Sequence, residues 1–481
     1  MLPDMSNLTH RWRSLIALCA LLGALLGGGC GGSSSGEFEG SLDPLDTRVN
    51  TSTPAGAYVL REPAICCRGR RVHVAWVDER VGQGDIRFNT STNGTQTWLA
   101  GDLRVNTDIE GAAPRRAPVV CCEGTNVYVA WTDFRLPVGT QIYFNRSTDS
   151  GRSFAPLDQR VSTNVGQDSF NTNVQICCES TSVYAVWTRE ETGAVYFNRS
   201  LNSGGTWLPT PRRLNPVTSN GSRPAICCEG ESVTVAWEDD RSGALDIYAT
   251  STQDGGATWL AQNQRLDANP AGSARSTQPL LCCEGTRVYC AWRDRRDLGE
   301  TVYTNFSSNH GVNWQRSDLR MDTSAVLPTE VESHSIQCAK QYVHLVWTDN
   351  RNGELDVFYR RSINSGIAWE APEVRIDEGV PGATQSAQVS LCANVPHVYV
   401  TWTEASGPDT SDWWFTFSTT NGSSGAAAPQ RVNDTPAMST TATEGALCCD
   451  GSDVFGAWVD TRNAPAAPVG RPADIYSRGS Q

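Results

Sequence analysis

The sequence predicts an all-β fold, a single eight-bladed β-propeller of four-stranded antiparallel blades, on three observations. A cysteine closes a short apolar run at Cys66, Cys121, Cys177, Cys227, Cys282, Cys338, Cys392 and Cys448. That period of about 55 residues marks a repeated supersecondary unit. Each cysteine is followed by an alternating run such as VHVAW or VYVAW, ending at Trp76, Trp131, Trp187, Trp237, Trp292, Trp347, Trp402 and Trp458. Alternation with period two is the pattern of a strand. The third observation is phase: a fourth-strand signature, Arg then an aliphatic residue then Asn, Asp or Ser, occurs at Arg48, Arg104, Arg160, Arg213, Arg265, Arg320, Arg375 and Arg431. Its first copy precedes the first cysteine, so the segment 45–50 is expected to supply the missing outer strand of the last blade. Closing the ring in this way leaves no open sheet edge.

Residues 1–29 read as an address. Arg11 and Arg13 form a basic start, followed by an apolar run ending at Cys30, too short for a comfortable membrane span. Leu26-Gly27-Gly28-Gly29-Cys30 resembles a bacterial lipoprotein box, departing from it at Gly27, where the pattern has Leu. The resemblance implies lipid attachment at Cys30; an ordinary cleaved signal is the alternative. Gly31 follows without the aspartate that marks inner-membrane retention, so an outer-membrane lipoprotein is expected, touching the membrane through its lipid alone. Residues 30–44 form a Gly/Ser tether, and the propeller occupies 45–481.

Composition narrows the function classes. The chain has 481 residues, 39 Lys+Arg against 52 Asp+Glu, and a net charge of −13. An acidic chain is a poor partner for a phosphate backbone, so no nucleic acid is expected. Six histidines without HExxH spacing, and cysteines without CxxC spacing, point to neither metal nor cofactor.

Between third and fourth strands the repeats carry a turn. Ser147-Thr148-Asp149-Ser150-Gly151-Arg152-Ser153-Phe154 matches S-x-D-x-G-x-x-[WF], and 252–259 reads TQDGGATW. Copies with Asn for Asp stand at 200–207, 307–314 and 362–369; at 91–98 Thr95 also replaces the glycine. The Asp or Asn accepts backbone N–H bonds, the glycine permits positive φ, and the ring plugs the blade. Six copies at constant phase resemble the Asp-box (BNR) repeats of sialidase-like propellers, over about nine-tenths of the chain. That resemblance implies fold first. The family's sialidases also need an arginine triad for the substrate carboxylate, a Tyr–Glu nucleophile pair and an acid/base Asp. Leu60-Arg61-Glu62-Pro63 partly resembles the motif of the first arginine, but Arg116-Ala117-Pro118 repeats it one blade later. A repeated feature reads as structure, and no catalytic set is assigned.

The motif W-x-D-x-R supplies Asp78/Arg80, Asp133/Arg135, Asp239/Arg241, Asp294/Arg296, Asp349/Arg351 and Asp460/Arg462. Six near-identical copies favour structural Asp/Arg turns. The pattern breaks in blade 3 at Arg189 and in blade 7 at Glu404, and blade 7 adds Trp413-Trp414. A ligand is sought where symmetry breaks, so the candidate ligand face comprises Arg61, Arg116, Arg189, Glu404, Trp413 and Trp414. The favoured reading is a monomeric, non-enzymatic binding or scaffold module for a carbohydrate or protein ligand. The alternative is an exo-glycosidase of sialidase type.

Twelve cysteines form the adjacent pairs Cys66/Cys67, Cys121/Cys122, Cys177/Cys178, Cys227/Cys228, Cys282/Cys283 and Cys448/Cys449, pointing to an oxidising compartment. Two readings stay open. Each pair closes on itself as a vicinal bridge, the preferred reading, or neighbouring blades are stapled, for example Cys67 to Cys121. Strand alternation suits stapling, but the width of an eight-bladed ring is expected to hold inner strands beyond the 4.4–6.8 Å Cα window of a disulfide.

The anchor reading makes one clean prediction. Metabolic labelling with a palmitate analogue should mark the wild-type protein and leave Cys30→Ala unlabelled; equal labelling of both would remove the lipoprotein assignment.

Overall fold

A computed structural model describes Leu42 and residues 45–480, apart from 164–168, 298, 326–329, 408–409, 424–426, 437–439 and 465–471. The leader, Cys30 and most of the long blade-8 loop lie outside the described residues. Eight four-stranded antiparallel sheets follow one another along the chain. Blade 1 is typical, with strands Leu60–Arg68, Arg71–Asp78, Asp85–Ser91 and Leu103–Arg104 from the inside outwards. Blade 8 takes its outermost strand from the other end of the chain: Thr47 pairs with Ser477 and Arg48 with Tyr476. The Val49 amide donates to the Ile475 carbonyl at 2.8 Å, continuing the seam. The expected closure is therefore present.

Second strands are buried on both faces, because each is covered by a neighbouring blade on either side. Apolar clusters accordingly straddle seams. Ala75, Val77, Ile86 and Phe88 of blade 1 pack with Val127, Val129 and Trp131 of blade 2. Val72, Val74 and Trp76 pack with Phe455, Ala457 and Ile475 of blade 8. All eight motif tryptophans are at most 1% exposed, and each contributes a large apolar area to its seam.

The turns between third and fourth strands are built as the residues suggest. The Ser147 hydroxyl donates to Asp149 Oδ1 at 2.6 Å, and the Gly151 and Ser153 amides donate to Ser147 Oγ and Asp149 Oδ1, each at 2.9 Å. Asn202 serves equally well, accepting from the Thr206 amide at 2.9 Å. The ring that ends the turn reaches beyond its own blade. Phe154, Trp207 and Trp259 meet Phe88, Phe144 and Phe197 of the preceding blades edge-on at 4.8–4.9 Å. Gly151, at φ +76°, sits so close to Phe88 that a Cβ would lie 2.7 Å from the ring.

The repeated R-x-P start of the inner strand is a β-bulge. Pairing slips between Arg61 and Ala64 and between Arg116 and Val119, and the residues between, Glu62 and Ala117, have φ of 56° and 49°. Proline lacks an N–H and suits the break in the ladder. The freed amides are used between blades: Ala117 donates to the Glu62 carboxylate and Glu62 to that of Glu444.

The preferred vicinal disulfides are not formed. The bonds are Cys66–Cys122, Cys67–Cys448, Cys121–Cys178, Cys177–Cys228, Cys227–Cys283 and Cys392–Cys449. Cys282, Cys290 and Cys338 are unbonded. Inner strands of adjacent blades approach to Cα separations of 5.8–6.1 Å at these positions, inside the disulfide window that the ring's width was expected to exceed. Adjacent residues on a strand point to opposite neighbours, so the two thiols of a pair face different seams. The hand of stapling also differs from the Cys67-to-Cys121 example: the first cysteine of one blade meets the second of the next.

Candidate functional site

The second-to-third-strand loops and the inter-blade connections share one end of the ring, where the W-x-D-x-R residues form six clamps. In blade 2, Trp131 Nε1 donates to Asp133 Oδ2 at 2.8 Å. The Arg135 amide and Nε donate to Asp133 Oδ1 at 2.8 and 2.9 Å, and Nη2 to Oδ2 at 2.7 Å. Arg135 then reaches Asp158, the residue just before its own blade's outer strand, at 3.0 and 2.8 Å, with its guanidinium 3.7 Å above the Tyr143 ring. Burial alone would raise the Asp133 carboxyl, but the hydrogen bonds and charge of Arg135 outweigh it and hold the group below its ordinary value. Asp294 is lowered against the same burial by Arg296. Asp78, Asp239 and Asp349 take the same bonds from Arg80, Arg241 and Arg351, and Asp460 accepts from the Arg462 amide and Nη2.

The clamp's outer acceptors were not singled out from the sequence. They are Asp102, Asp158, Asn263, Asp318 and Glu373, with Asp46 and Asp434 in blade 8. A signal existed. The residue two before the fourth-strand arginine is Asp, Glu or Asn in every clamp blade, and Pro211 or Pro429 in blades 3 and 7. Clamp and acceptor are lost together.

In the two clamp-less blades the face is built differently. In blade 3, Trp187 Nε1 donates to Asn171 Oδ1 at 3.0 Å, and Arg189 Nε lies 3.4 Å from Glu191. In blade 7, Glu404 stands opposite Asp412 in the strand register, and Arg431 donates to Asp412 at 3.2 Å. Burial raises the Glu404 carboxyl above its ordinary value, with the Asp412 charge adding to the effect. Trp414 occupies the third-strand position held by Tyr143, Tyr248, Tyr303, Phe358 and Tyr476, each of which lies beneath a clamp arginine. Among the described residues no arginine lies over Trp414, and its side chain is half-buried.

The other candidates divide. Trp413 is not available to a ligand: it is 1% exposed, packs on Trp458 at 4.9 Å and fills the space that Gly445 and Gly456 leave. Neighbouring strand residues face opposite ways, so only one of the pair reaches the outer side. Arg61 pairs with Glu79, while the half-exposed Arg116 lies 3.8 Å from Glu62. Arg61 and Arg116 thus flank Glu62, whereas Arg189, Glu404 and Trp414 stand in blades 3 and 7. The candidates do not form one cluster.

Beneath the clamp face, a residue at or near the start of the third strand pairs with the residue two after the fourth-strand arginine. Asn106, Asn433 and Asn50 donate to Asp85, Asp412 and Asp474, each at 2.8 Å. Blades 4 and 6 place two carboxyls there instead, Asp246 with Asp267 and Asp356 with Asp377. Burial, together with the neighbouring Asp246 charge, raises the Asp267 carboxyl to about 7; burial, with Asp356 adding to it, raises Asp377 to about 6. Among the described residues no three His, Cys, Asp or Glu side chains are grouped to hold a metal ion. His73, 1% exposed, has a ring nitrogen 2.9 Å from Thr90 Oγ1 and is lowered by burial to about 4.

A cavity of about 140 Å³ lies between blades 5 and 6, lined by Tyr289, Thr304, Phe306 and Trp369. Thr304 stands where Phe88, Phe144 and Phe197 fill the equivalent space in other blades, so the cavity is a packing gap.

No protein-family profile matches the sequence, and no curated protein matches it. Solved structures do align with it. The polysaccharide lyase Uly1 aligns at 10% identity over 80% of this chain and 94% of its own, with a TM-score of 0.48. The phage phi92 endosialidase aligns at 10% identity over 92% of this chain and 69% of its own, at 0.38. A subtype N10 neuraminidase-like protein of A/little yellow-shouldered bat/Guatemala/060/2010 aligns at 10% identity over 65% and 95%, at 0.39.

The carboxyl pairs predict a pH effect. A carboxyl raised in the folded state stabilises below its unfolded value and loses that contribution as pH rises through its folded value. Asp267→Asn installs the amide used in blades 1, 7 and 8. Relative to wild type, the variant should gain more than about 1 kcal/mol of unfolding free energy between pH 5 and pH 8. Parallel stability curves over that range would show that Asp267 does not titrate there.

Proposed function

We propose that the chain is a lipid-anchored envelope propeller that binds carbohydrate without turning it over, with Asp-box turns as structural plugs and the clamp face as the docking surface. The observation that carries this reading is the break in blade 7. Trp414 is a half-buried aromatic at a position that an arginine caps in five of the clamp blades, and Glu404 and Asp412 stand in register beside it. An aromatic face flanked by carboxylates suits a sugar, whose C–H face stacks on a ring while its hydroxyls donate to oxygens. The six clamp blades spend the same positions on protein contacts. Among the described residues blade 3 also leaves Tyr196 without an arginine over it, but it sets Arg189 opposite Ala194 where blade 7 sets Glu404 opposite Asp412.

An exo-glycosidase is the second reading, favoured by the raised Glu404 next to Asp412, since glycoside hydrolysis uses two carboxyls of unequal proton affinity. A glycan array probed with the mature protein should yield a bound glycan class. Trp414→Ala should weaken that binding at least about tenfold, with an unchanged melting temperature showing that the fold survives. Absence of binding to any glycan would overturn the proposal. Turnover of a fluorogenic sialoside, abolished by Glu404→Gln, would replace it with the hydrolase.

A further inference from the structure

Cysteine positions on the inner strands follow one rule. The first position of each pair faces, across the strand ladder, the residue after the leading valine of the second strand: Cys66 faces His73 and Cys121 faces Tyr128. The second position faces that valine: Cys67 faces Val72 and Cys122 faces Val127. All six bonds join a first position to the second position of the following blade. Cys282 faces Tyr289 and is a first position, in blade 5. Cys338 faces Val343 and is a second position, in blade 6. The two are 56 residues apart in sequence, within the 51–57 residues that separate the bonded pairs of consecutive blades. Their side chains meet in one apolar cluster, with Cys282 7% exposed and Cys338 packed against it.

The remaining seam supports the rule from the other side. The first position of blade 6 is Gln337, facing His344, and the second position of blade 7 is Ala393, facing Val398. These two would form the eighth pair. Both cysteines are missing from that seam together, and every cysteine at a ring position elsewhere has a cysteine at its partner position.

We propose that Cys282 and Cys338 form a seventh inter-blade disulfide in the mature protein, leaving the seam between blades 6 and 7 as the single covalent opening in the ring. Bond formation removes two protons and two electrons from the thiols. Exchange with a disulfide-bearing oxidant supplies the acceptor, which leaves as a dithiol. Cys290, fully buried on a second strand away from the ring positions, stays reduced.

Differential alkylation tests this on the full mature chain. Free thiols are blocked with N-ethylmaleimide in denaturant, the protein is reduced, and newly exposed thiols take iodoacetamide. Cys282 and Cys338 should carry the second label and Cys290 the first; the first label on both Cys282 and Cys338 would overturn the proposal. Cys282→Ser should move Cys338 to the first label and leave the other six bonds unchanged. Persistence of the second label on Cys338 would mean that it pairs elsewhere. The rule is checked independently by Gln337→Cys with Ala393→Cys, where both new thiols should take the second label; two free thiols there would contradict the seam geometry on which the assignment rests.

Discussion

Adjacent blades meet along their inner strands, and there the backbones come to about 6 Å of one another at the cysteine positions. That approach is the constraint from which the rest follows. A strand alternates its side chains, so two adjacent cysteines on one inner strand face the seams on either side of it. Each staple between consecutive blades closes a loop of 51–57 residues, for which chain entropy gives roughly 4 kcal/mol. Cys67–Cys448 differs in kind, since its partners are 381 residues apart and it locks the first blade to the last. The short strand Thr47–Arg48 completes the same seam with backbone hydrogen bonds.

At the opposite end of the blades the fastening is electrostatic. A buried aspartate accepts from a tryptophan and from an arginine that continues to a carboxylate or amide just before the outer strand. Leaving any buried member unpaired would be costly, so clamp residues tolerate little functional reassignment. This explains why symmetry breaking is informative. Where clamp and outer acceptor are absent together, in blades 3 and 7, the face is released from that fastening and its side chains are free to differ.

Much of this was legible in the sequence. The period of the cysteines and tryptophans carried the blade count, and the phase of the fourth-strand arginines carried the closing strand, because each rests on local alternation and phase. The same alternation is what buries Trp413 and leaves Trp414 half-buried, although both stood among the ligand-face candidates. Disulfide partners were not legible in the same way, since they depend on how closely two inner strands approach, a property of ring geometry with no local sequence signature. The outer clamp acceptors were legible but unread: Pro211 and Pro429 interrupt the acidic position in the same two blades that lack the W-x-D-x-R motif. The carboxyl pairs of blades 4 and 6 needed the three-dimensional pairing of third and fourth strands before their proximity was visible.

The ring is therefore fastened covalently at one end and by charge at the other, with apolar seams between, and candidate ligand chemistry is confined to the charged end. The covalent fastening is the central claim, and reduction tests it most directly. Melting temperatures should be compared for the oxidised protein and for protein incubated with a phosphine reductant until thiol titration shows complete reduction. The account predicts that the reduced protein melts more than about 10 °C lower. A fully reduced protein with the melting temperature of the oxidised one would contradict it, and would leave apolar packing and the clamps as the forces that hold the blades together.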